Sequence, residues 1–209
     1  LNNRNLSKGT IESFQLGFAP DKWDSLLKYL HEIEKIPLEL LESVGLIIAR
    51  KGGDGFYDRF RNRLIVPIFD QQSRVIGFGG RSLDGSEPKY LNSPETEIFE
   101  KGKNLFGLNK AAAAIRKEDQ AVVVEGYFDV IALHEAGICN TVASLGTALS
   151  SQQITQLCRC SNSKRILLNF DSDNAGIRAA KRAITEVENL AMQGQLELRV
   201  LQLPSGKDP

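Results

Sequence analysis

The chain has 209 residues, 42% of them hydrophobic and 25% charged, which is enough for one large folded domain or two small ones. Its 26 basic side chains balance its 26 acidic ones, so net charge indicates no partner, and a nucleic-acid surface would need locally concentrated positive charge. Three cysteines without a C-x-x-C pair and only two histidines argue against a structural zinc site and fit a reducing compartment.

Before residue 120 the sequence predicts short, mixed elements. Ser7 is placed to cap one helix and Asp21 another, and Pro37 suits the first turn of a third helix that ends at Gly45. A glycine-rich loop precedes two strands, and Pro67 predicts that the first strand lies at an edge or is bulged. The predicted helices cover residues 7–14, 21–30 and 37–45, the loop 52–55, and the strands 64–69 and 75–78.

After residue 120 short apolar strands alternate with helices, which is typical of a parallel, doubly wound sheet. The predicted strands are 121–124, 141–143, 165–170 and 196–201, and the intervening helices are 128–136, one capped by Ser150, and 175–192. The predicted fold class is therefore α/β. A mixed α+β amino-terminal subdomain over residues 1–118 precedes a mainly parallel sheet over residues 119–209.

Carboxylates follow three of the four strands in the second half. Glu125 ends the first strand, Asp129 comes four residues later, Asp171 and Asp173 follow the third, and Asp208 lies beyond the fourth. Sites in open α/β sheets form beyond the carboxyl ends of the strands, so these side chains are expected to share one edge. Oxygen ligands without histidine or cysteine favour Mg²⁺ or Mn²⁺. The pattern predicts metal-assisted phosphoryl transfer.

Each acid also has a simpler interpretation. Asp173 could be the N-cap of the long helix, and Asp129 would be favourable in a first helical turn. Glu125 is harder to explain this way, because a charge directly after a buried strand needs compensation. The coincidence of three acidic strand ends favours a metal-binding cluster.

The basic residues of the first half give a weaker signal. Arg59, Arg61 and Arg63 alternate, which predicts that they share one face of a strand. Lys89 and Asn92 flank an aromatic ring at Tyr90, an arrangement that suits phosphate contact with base stacking. Acidic residues are almost as frequent as basic ones over this stretch, so composition alone favours an ordinary solvated surface.

The chain resembles the bacterial replicative DNA primases, and its second half resembles the Toprim domain that they share with type IA and type II topoisomerases. The Toprim resemblance is carried by Val124–Val130, Ala143–Thr147 and Phe170–Gly176. The primase resemblance is carried by Leu16–Pro20, Asp58–Arg63, Ile76–Arg81 and Pro88–Pro94. Together these motifs cover nearly the whole chain. Ser172 stands where many relatives have glycine.

The resemblance implies roles for individual residues. Glu125, Asp171 and Asp173 would be the catalytic metal-site carboxylates, with Asp129 and Asp208 supporting them. The side chains that would hold template DNA or nucleotide phosphates are Arg81, Lys89, Asn92 and Lys101. Other basic positions of the DNA-facing surface would be Arg4, Arg59 and Arg61.

The implied activity is synthesis of RNA primers in DNA replication. Ribonucleoside triphosphates would be joined on a single-stranded DNA template by nucleotidyl transfer that needs Mg²⁺ or Mn²⁺. The protein is expected in the bacterial cytoplasm, at the replisome and not in a membrane. Zinc would be bound only by an amino-terminal module, and the replicative helicase by a carboxy-terminal domain, both absent from this sequence. The fragment alone is expected to be weakly active.

Two alternatives remain open at the level of sequence. One is another Toprim enzyme, a nuclease or a topoisomerase, although a topoisomerase needs a nucleophilic tyrosine outside this domain. The other is a non-catalytic module that binds single strands or a nucleotide through its basic face. The second alternative predicts binding that survives loss of every acid named above and does not need Mg²⁺.

Overall fold

The computed structural model describes residues 6–146, 149–170, 174–192, 194 and 196–201. They divide into two compact units. The antiparallel unit consists of Ile11–Ile68 and Val75–Glu100, and the parallel-sheet unit takes the remaining described residues, including all those from Lys101 onward. The division into domains between residues 118 and 119 stays a prediction.

The antiparallel unit is built from short elements around a four-stranded sheet. The strand order is β1-β4-β5-β6, and β2 and β3 form a separate antiparallel pair. The strands are β1 Gly17–Ala19, β2 Ile47–Ala49, β3 Phe56–Asp58, β4 Arg63–Phe69, β5 Val75–Ser82 and β6 Tyr90–Asn92. The helices are α1 Lys8–Ser13, which begins in the other unit, α2 Ser25–Leu27, a π-helix Lys28–Ile33, and α3 Leu38–Ser43.

Two of the three predicted helix starts are confirmed, and one is wrong. The Ser7 hydroxyl accepts the Thr10 N–H at 3.2 Å, and α3 begins directly after Pro37. The helix expected at Asp21 begins only at Ser25. The buried Asp58 carboxylate, at the end of β3, accepts hydrogen bonds from the N–H groups of Leu26 and Leu27 in the helix, at 2.7 and 2.8 Å. A distant carboxylate thus replaces a local cap.

Pro67 was predicted to mark an edge strand or a bulge, and β4 as a whole is not an edge strand, since it has neighbours on both sides in the sheet. At Pro67 itself the edge prediction holds on one side, because β1 pairs only with Arg63–Ile65 and Pro67 lies beyond its end.

The three alternating arginines do not share a strand face, which corrects a second prediction. Arg59 and Arg61 lie in the connection between β3 and β4, and only Arg63 belongs to a strand. The connection has to turn because β3 and β4 belong to different sheets, and Asn62 adopts a positive φ of 47° there.

The parallel-sheet unit confirms the predicted doubly wound arrangement. Its strand order is β10-β9-β7-β8, and all three pairings are parallel. The strands are β7 Gln120–Val124, β8 Thr141–Ala143, β9 Arg165–Leu168 and β10 Glu197–Val200. The helices are a 3₁₀ turn Lys101–Lys103, α4 Leu108–Glu118, α5 Tyr127–Glu135, α6 Ser151–Cys160 and α7 Asn174–Met192. The helix α4 was not predicted.

The central strand β7 is apolar because both of its faces are covered. Val123 packs into a buried cluster with side chains of α4, α6 and α7, such as Ile115, Ile154 and Ala183. Val124 points to the opposite face and is also fully buried. Since β8 and β9 flank β7 on either side, the direction of winding reverses at β7, and ligand sites form at the carboxyl end of such a strand.

The longest helix of the described chain is α7, with 19 residues. Ala180 and Ala183 face the sheet, whereas Ile184 and Met192 are exposed. Neither α7 nor any other helix in the described ranges combines the length and apolar character that a bilayer crossing requires.

Candidate active site

Glu125 lies where the sequence predicts it, at the carboxyl end of the central strand. The preceding Val124 is fully buried, whereas Glu125 is only partly buried. Gly126 follows as the N-cap of α5. The chain therefore turns sharply from strand to helix and presents a carboxylate at the edge where the winding reverses.

Asp129 lies in the first turn of α5, directly beside this strand end. Its Oδ2 accepts the Gly126 N–H at 3.0 Å. The capping interpretation of Asp129 is thus what the structure shows, and the bond fixes the carboxylate relative to the Glu125–Gly126 turn. A supporting role of Asp129 at a metal stays a proposal.

Four predicted site residues lie outside the described residues: Arg4, Asp171, Asp173 and Asp208. The strand that leads to Asp171 is nevertheless described. Its last residue, Leu168, pairs with Val123 of β7, and the Asn169 N–H donates to the Val123 carbonyl at 2.8 Å. The chain therefore leaves β9 beside the point where β7 ends.

Asn169 carries the one orphaned atom at this edge within the described part of the chain. Its side chain is 6% exposed, and its Oδ1 has no hydrogen-bond partner among the described residues. Such an atom is costly unless something else supplies the missing interaction.

The donor set at this edge fits a hard divalent cation. It consists of oxygen atoms from Glu125, Asp129 and Asn169. Within the described residues alone, no three acidic, histidine or cysteine side chains form a cluster that could hold a metal. A metal site that also includes the acids after β9 stays a prediction.

Arg59 and Asn92 are in contact, but the Arg59 side chain binds the backbone carbonyl of Asn92 and not its side chain. Both Nε and Nη2 of Arg59 donate to the Asn92 carbonyl, at 3.2 and 2.9 Å. Burial lowers the pKa of the Arg59 guanidinium. Arg59 thus ties the β3–β4 connection to β6.

Arg61 packs against aromatic rings. Its Cζ lies 4.3 Å from the centre of the Trp23 ring and 5.0 Å from that of Tyr57, and its Nη1 donates to the Asp58 carbonyl. Trp23 is 60% exposed, so this stack lies at the surface of the antiparallel unit.

Arg81, Lys89 and Asn92 converge on the β5–β6 hairpin. Arg81 pairs with Tyr90, and Gly79 pairs with Asn92. The Arg81 Cζ and the Lys89 Nζ lie 5.7 and 5.8 Å from the centre of the Tyr90 ring. Two cations and a half-exposed ring suit a phosphate and a stacked base.

Lys101 belongs to the parallel-sheet unit, in a short segment that we call the basic turn, residues 101–104. Ser150, the N-cap of α6, and Gln153 in its first turn bind this segment through their side chains. The sequence predicted Ser150 as a cap but gave no role to Gln153. The spacing Ser-x-x-Gln is itself a helix-start signal, whereas a contact with residues about 50 positions earlier leaves no local signal.

The sequence matches the family described as DNA primase catalytic core, N-terminal domain, over residues 1–112. It matches the Toprim-like family over residues 122–209. The first match covers 112 of 209 residues, more than half of the chain.

Curated relatives are DNA primases. That of Synechococcus elongatus is 65% identical over 206 residues, which are 99% of this chain and 30% of that protein. That of Pseudomonas aeruginosa is 46% identical over 209 residues, which are 100% of this chain and 31% of that protein. The chain spans about a third of the length of these relatives.

Solved structures agree. A DNA primase domain from Pseudomonas aeruginosa has a TM-score of 0.90 at 45% identity, covering 100% of this chain and 64% of that one. A primase catalytic domain solved with bound single-stranded DNA has a TM-score of 0.87 at 42% identity, covering 100% of this chain and 66% of that one. With family, relatives and fold in agreement, the chain belongs to the DNA primase catalytic core family.

Proposed function

We propose that this chain is the catalytic part of an enzyme that makes RNA primers on single-stranded DNA by metal-dependent nucleotidyl transfer. The observation that carries the proposal is the position of Glu125, at the carboxyl end of the central strand of a Toprim-like sheet. The primase match over residues 1–112 favours this activity over that of other Toprim enzymes.

The cation supplies Lewis acidity and charge neutralisation when it is bound, and Mg²⁺ is the ion that best suits the oxygen donors. Glu125 would hold it together with Asp171 and Asp173, with Asp129 and Asp208 in support. These carboxylates bind and do not attack. The attacking group would be the 3′-hydroxyl of the primer, and pyrophosphate would leave from the incoming ribonucleotide.

Basic side chains would neutralise phosphate charge on the nucleotide and the template. Lys89 and Lys101 would stabilise the phosphates of the nucleotide. Arg81 and Asn92 would contact the template strand, for which the Tyr90 ring offers a stacking surface. The primase domain solved with single-stranded DNA supports this choice of template.

The wider setting follows from the same family membership. We place the enzyme in the bacterial cytoplasm, at the replisome. A zinc module and a helicase-binding domain would lie in the two thirds of the relatives' length that this chain does not cover. Recruitment by the replicative helicase would depend on those regions.

The direct test is primer synthesis by the complete protein with Glu125→Gln. The substitution keeps the shape of the side chain but removes its charge, so synthesis with Mg²⁺ is expected to fall at least about 100-fold. Glu118→Gln, an exposed carboxylate of α4, is the matched control and is expected to stay near wild type. Near-normal synthesis by Glu125→Gln would refute the proposed site.

A further inference from the structure

The first turn of α6 grips the basic turn through its backbone. The Ser150 hydroxyl donates to the Gly102 carbonyl at 2.6 Å. The Gln153 amide donates to the carbonyls of Lys101 and Asn104, at 2.9 and 2.7 Å. In the next turn of the helix, the Gln156 amide donates to the Lys103 carbonyl at 2.7 Å. Four consecutive carbonyls are thus bound by side chains of one helix.

Every polar atom of the Gln153 side chain is hydrogen-bonded. Its side chain is fully buried, both hydrogens of its amide are used by the basic turn, and its Oε1 accepts the Ser150 N–H at 2.9 Å. The Ser150 hydroxyl in turn accepts the Gln153 N–H at 3.2 Å. The capping box of α6 is therefore also the support of the basic turn, and loss of the amide would remove one hydrogen bond from each of the Lys101 and Asn104 carbonyls.

This support lies at the edge of the sheet that carries Glu125. Just after the basic turn, the N–H of Phe106 donates to the Ala143 carbonyl at 2.9 Å and the N–H of Ala143 donates back at 3.1 Å. Ala143 ends β8 and pairs with Val124, the residue before Glu125. The segment with Lys101 is thus anchored to the strand next to the catalytic one.

A lysine side chain binds a phosphate more tightly when its backbone is already fixed, because less conformational entropy is lost on binding. A short 3₁₀ turn has few internal hydrogen bonds, and here the bond from the Asn104 N–H to the Lys101 carbonyl is long at 3.4 Å. The side chains of α6 supply the rigidity that the turn lacks.

We propose that Ser150 and Gln153 are positioning residues, which hold the basic turn so that Lys101 meets a phosphate of the incoming nucleotide or of the template. The proposal rests on the proposed function and names residues that act on that site without touching the substrate.

The test is a double-mutant cycle between Gln153→Leu and Lys101→Ala in the complete protein. Each single change is expected to raise the KM for ribonucleoside triphosphate about tenfold with a smaller effect on kcat. Together they should do little more than Lys101→Ala alone, because Gln153 acts through Lys101. If the two effects multiply, Gln153 has only a structural role and the proposal is overturned.

Matched variants separate positioning from folding. Ser150→Ala removes the hydroxyl that binds Gly102 and is expected to raise the KM, whereas Ser150→Thr keeps a hydroxyl and should restore it. Gln152→Leu alters an exposed neighbour on α6 and should leave the KM unchanged. An equal loss in Ser150→Ala and Ser150→Thr would overturn the proposal.

The same cycle is run on the equilibrium Kd for ATP and for a single-stranded oligodeoxynucleotide, which need no primer synthesis. Coupling in the ATP arm identifies a nucleotide phosphate as the partner of Lys101, and coupling in the DNA arm identifies a template phosphate. Multiplying effects in both arms overturn the positioning role. Coupling in a protein that makes no primers supports the positioning role and refutes the proposed function.

Discussion

At the scale of single residues, the turn between Glu125 and α5 is crowded. An added Cβ at Gly126 would lie 3.0 Å from Asp129 Oδ2, the atom that accepts the Gly126 N–H. The glycine therefore lets the helix cap and the strand end approach closely. The short distance to Asp129, and not the backbone conformation, favours glycine at position 126, since Gly126 has an ordinary extended conformation.

We predict that Gly126→Ala reduces primer synthesis about tenfold while it changes the free energy of unfolding by no more than about 1 kcal/mol. The new methyl group displaces the Asp129 carboxylate by a few tenths of an ångström. Steady-state kinetics and urea unfolding measure the two effects. Gly9→Ala, whose Cβ would meet only ordinary contacts, is the control. Full activity in Gly126→Ala would show that primer synthesis does not depend on the exact position of the Asp129 carboxylate.

Residues whose signal is local could be predicted from the sequence. Glu125 could be predicted because it follows a run of buried apolar residues, and Ser150 because a cap precedes its helix. Gln153 could not, because its partners on the basic turn are 49 and 52 residues away. Asp58 could not be predicted either, because it lies at the end of β3 and caps α2, which is distant in sequence.

At the scale of elements, helix ends depend on backbone conformations that few residues adopt. Gly45 ends α3 with a φ of +72°, and a Cβ there would lie 2.4 Å from the Pro94 ring. The sequence correctly predicts the helix end from the glycine alone, but not the contact with Pro94.

Gly45→Ala is expected to destabilise the protein by about 2–4 kcal/mol, the sum of a left-handed backbone and a steric overlap. Chemical denaturation measures this difference. Gly53→Ala serves as the control, since a Cβ at that position would have no atom within 4 Å. Equal stability of the two variants would contradict the described helix end.

The packing of α5 against β8 gives stability a dependence on pH. The His134 Nε2 lies 2.9 Å from the Thr141 carbonyl, and since a carbonyl can only accept, Nε2 carries the proton of the neutral ring. Burial lowers the pKa of His134 in the folded state. On acidification below about 6.5, the unfolded chain takes up a proton that the folded protein resists, so stability falls.

We therefore expect His134→Gln to reduce the difference in unfolding free energy between about pH 7.5 and about pH 5.5. The glutamine can still donate to Thr141 but has no proton to gain. His31→Gln, which changes the only other histidine, is the comparison variant. If His134→Gln loses as much stability on acidification as the wild type, His134 does not titrate as described.

The predicted bounds were accurate for the first two strands of the parallel sheet. The strand β8 matches its predicted bounds, and β7 differs by one residue. The helix α4 was missed although it contains four consecutive alanines, which are strong helix formers. The arginines of residues 59–63 were misjudged because alternation alone cannot show that a chain changes sheets there.

At the scale of the whole molecule, a net charge of zero means that the proposed DNA binding would have to come from local groups of cations. We predict that Arg81→Ala and Lys89→Ala each reduce the slope of log affinity against log salt by about 1, for a single-stranded oligodeoxynucleotide. Lys51→Ala, at an exposed position of the same unit, is the control. Unchanged slopes in the Arg81 and Lys89 variants would show that the β5–β6 hairpin does not contact DNA phosphates.

The proposed catalytic site requires that Glu125 and the acids after β9 bind the same ions. Crystals of the complete protein soaked in Mn²⁺ would answer this by anomalous diffraction. We predict anomalous peaks bonded to the carboxylates of Glu125 and of Asp171 or Asp173. If Glu125 instead points away from that pair, too far for an ion to bridge them directly or through water, the proposed metal site does not exist.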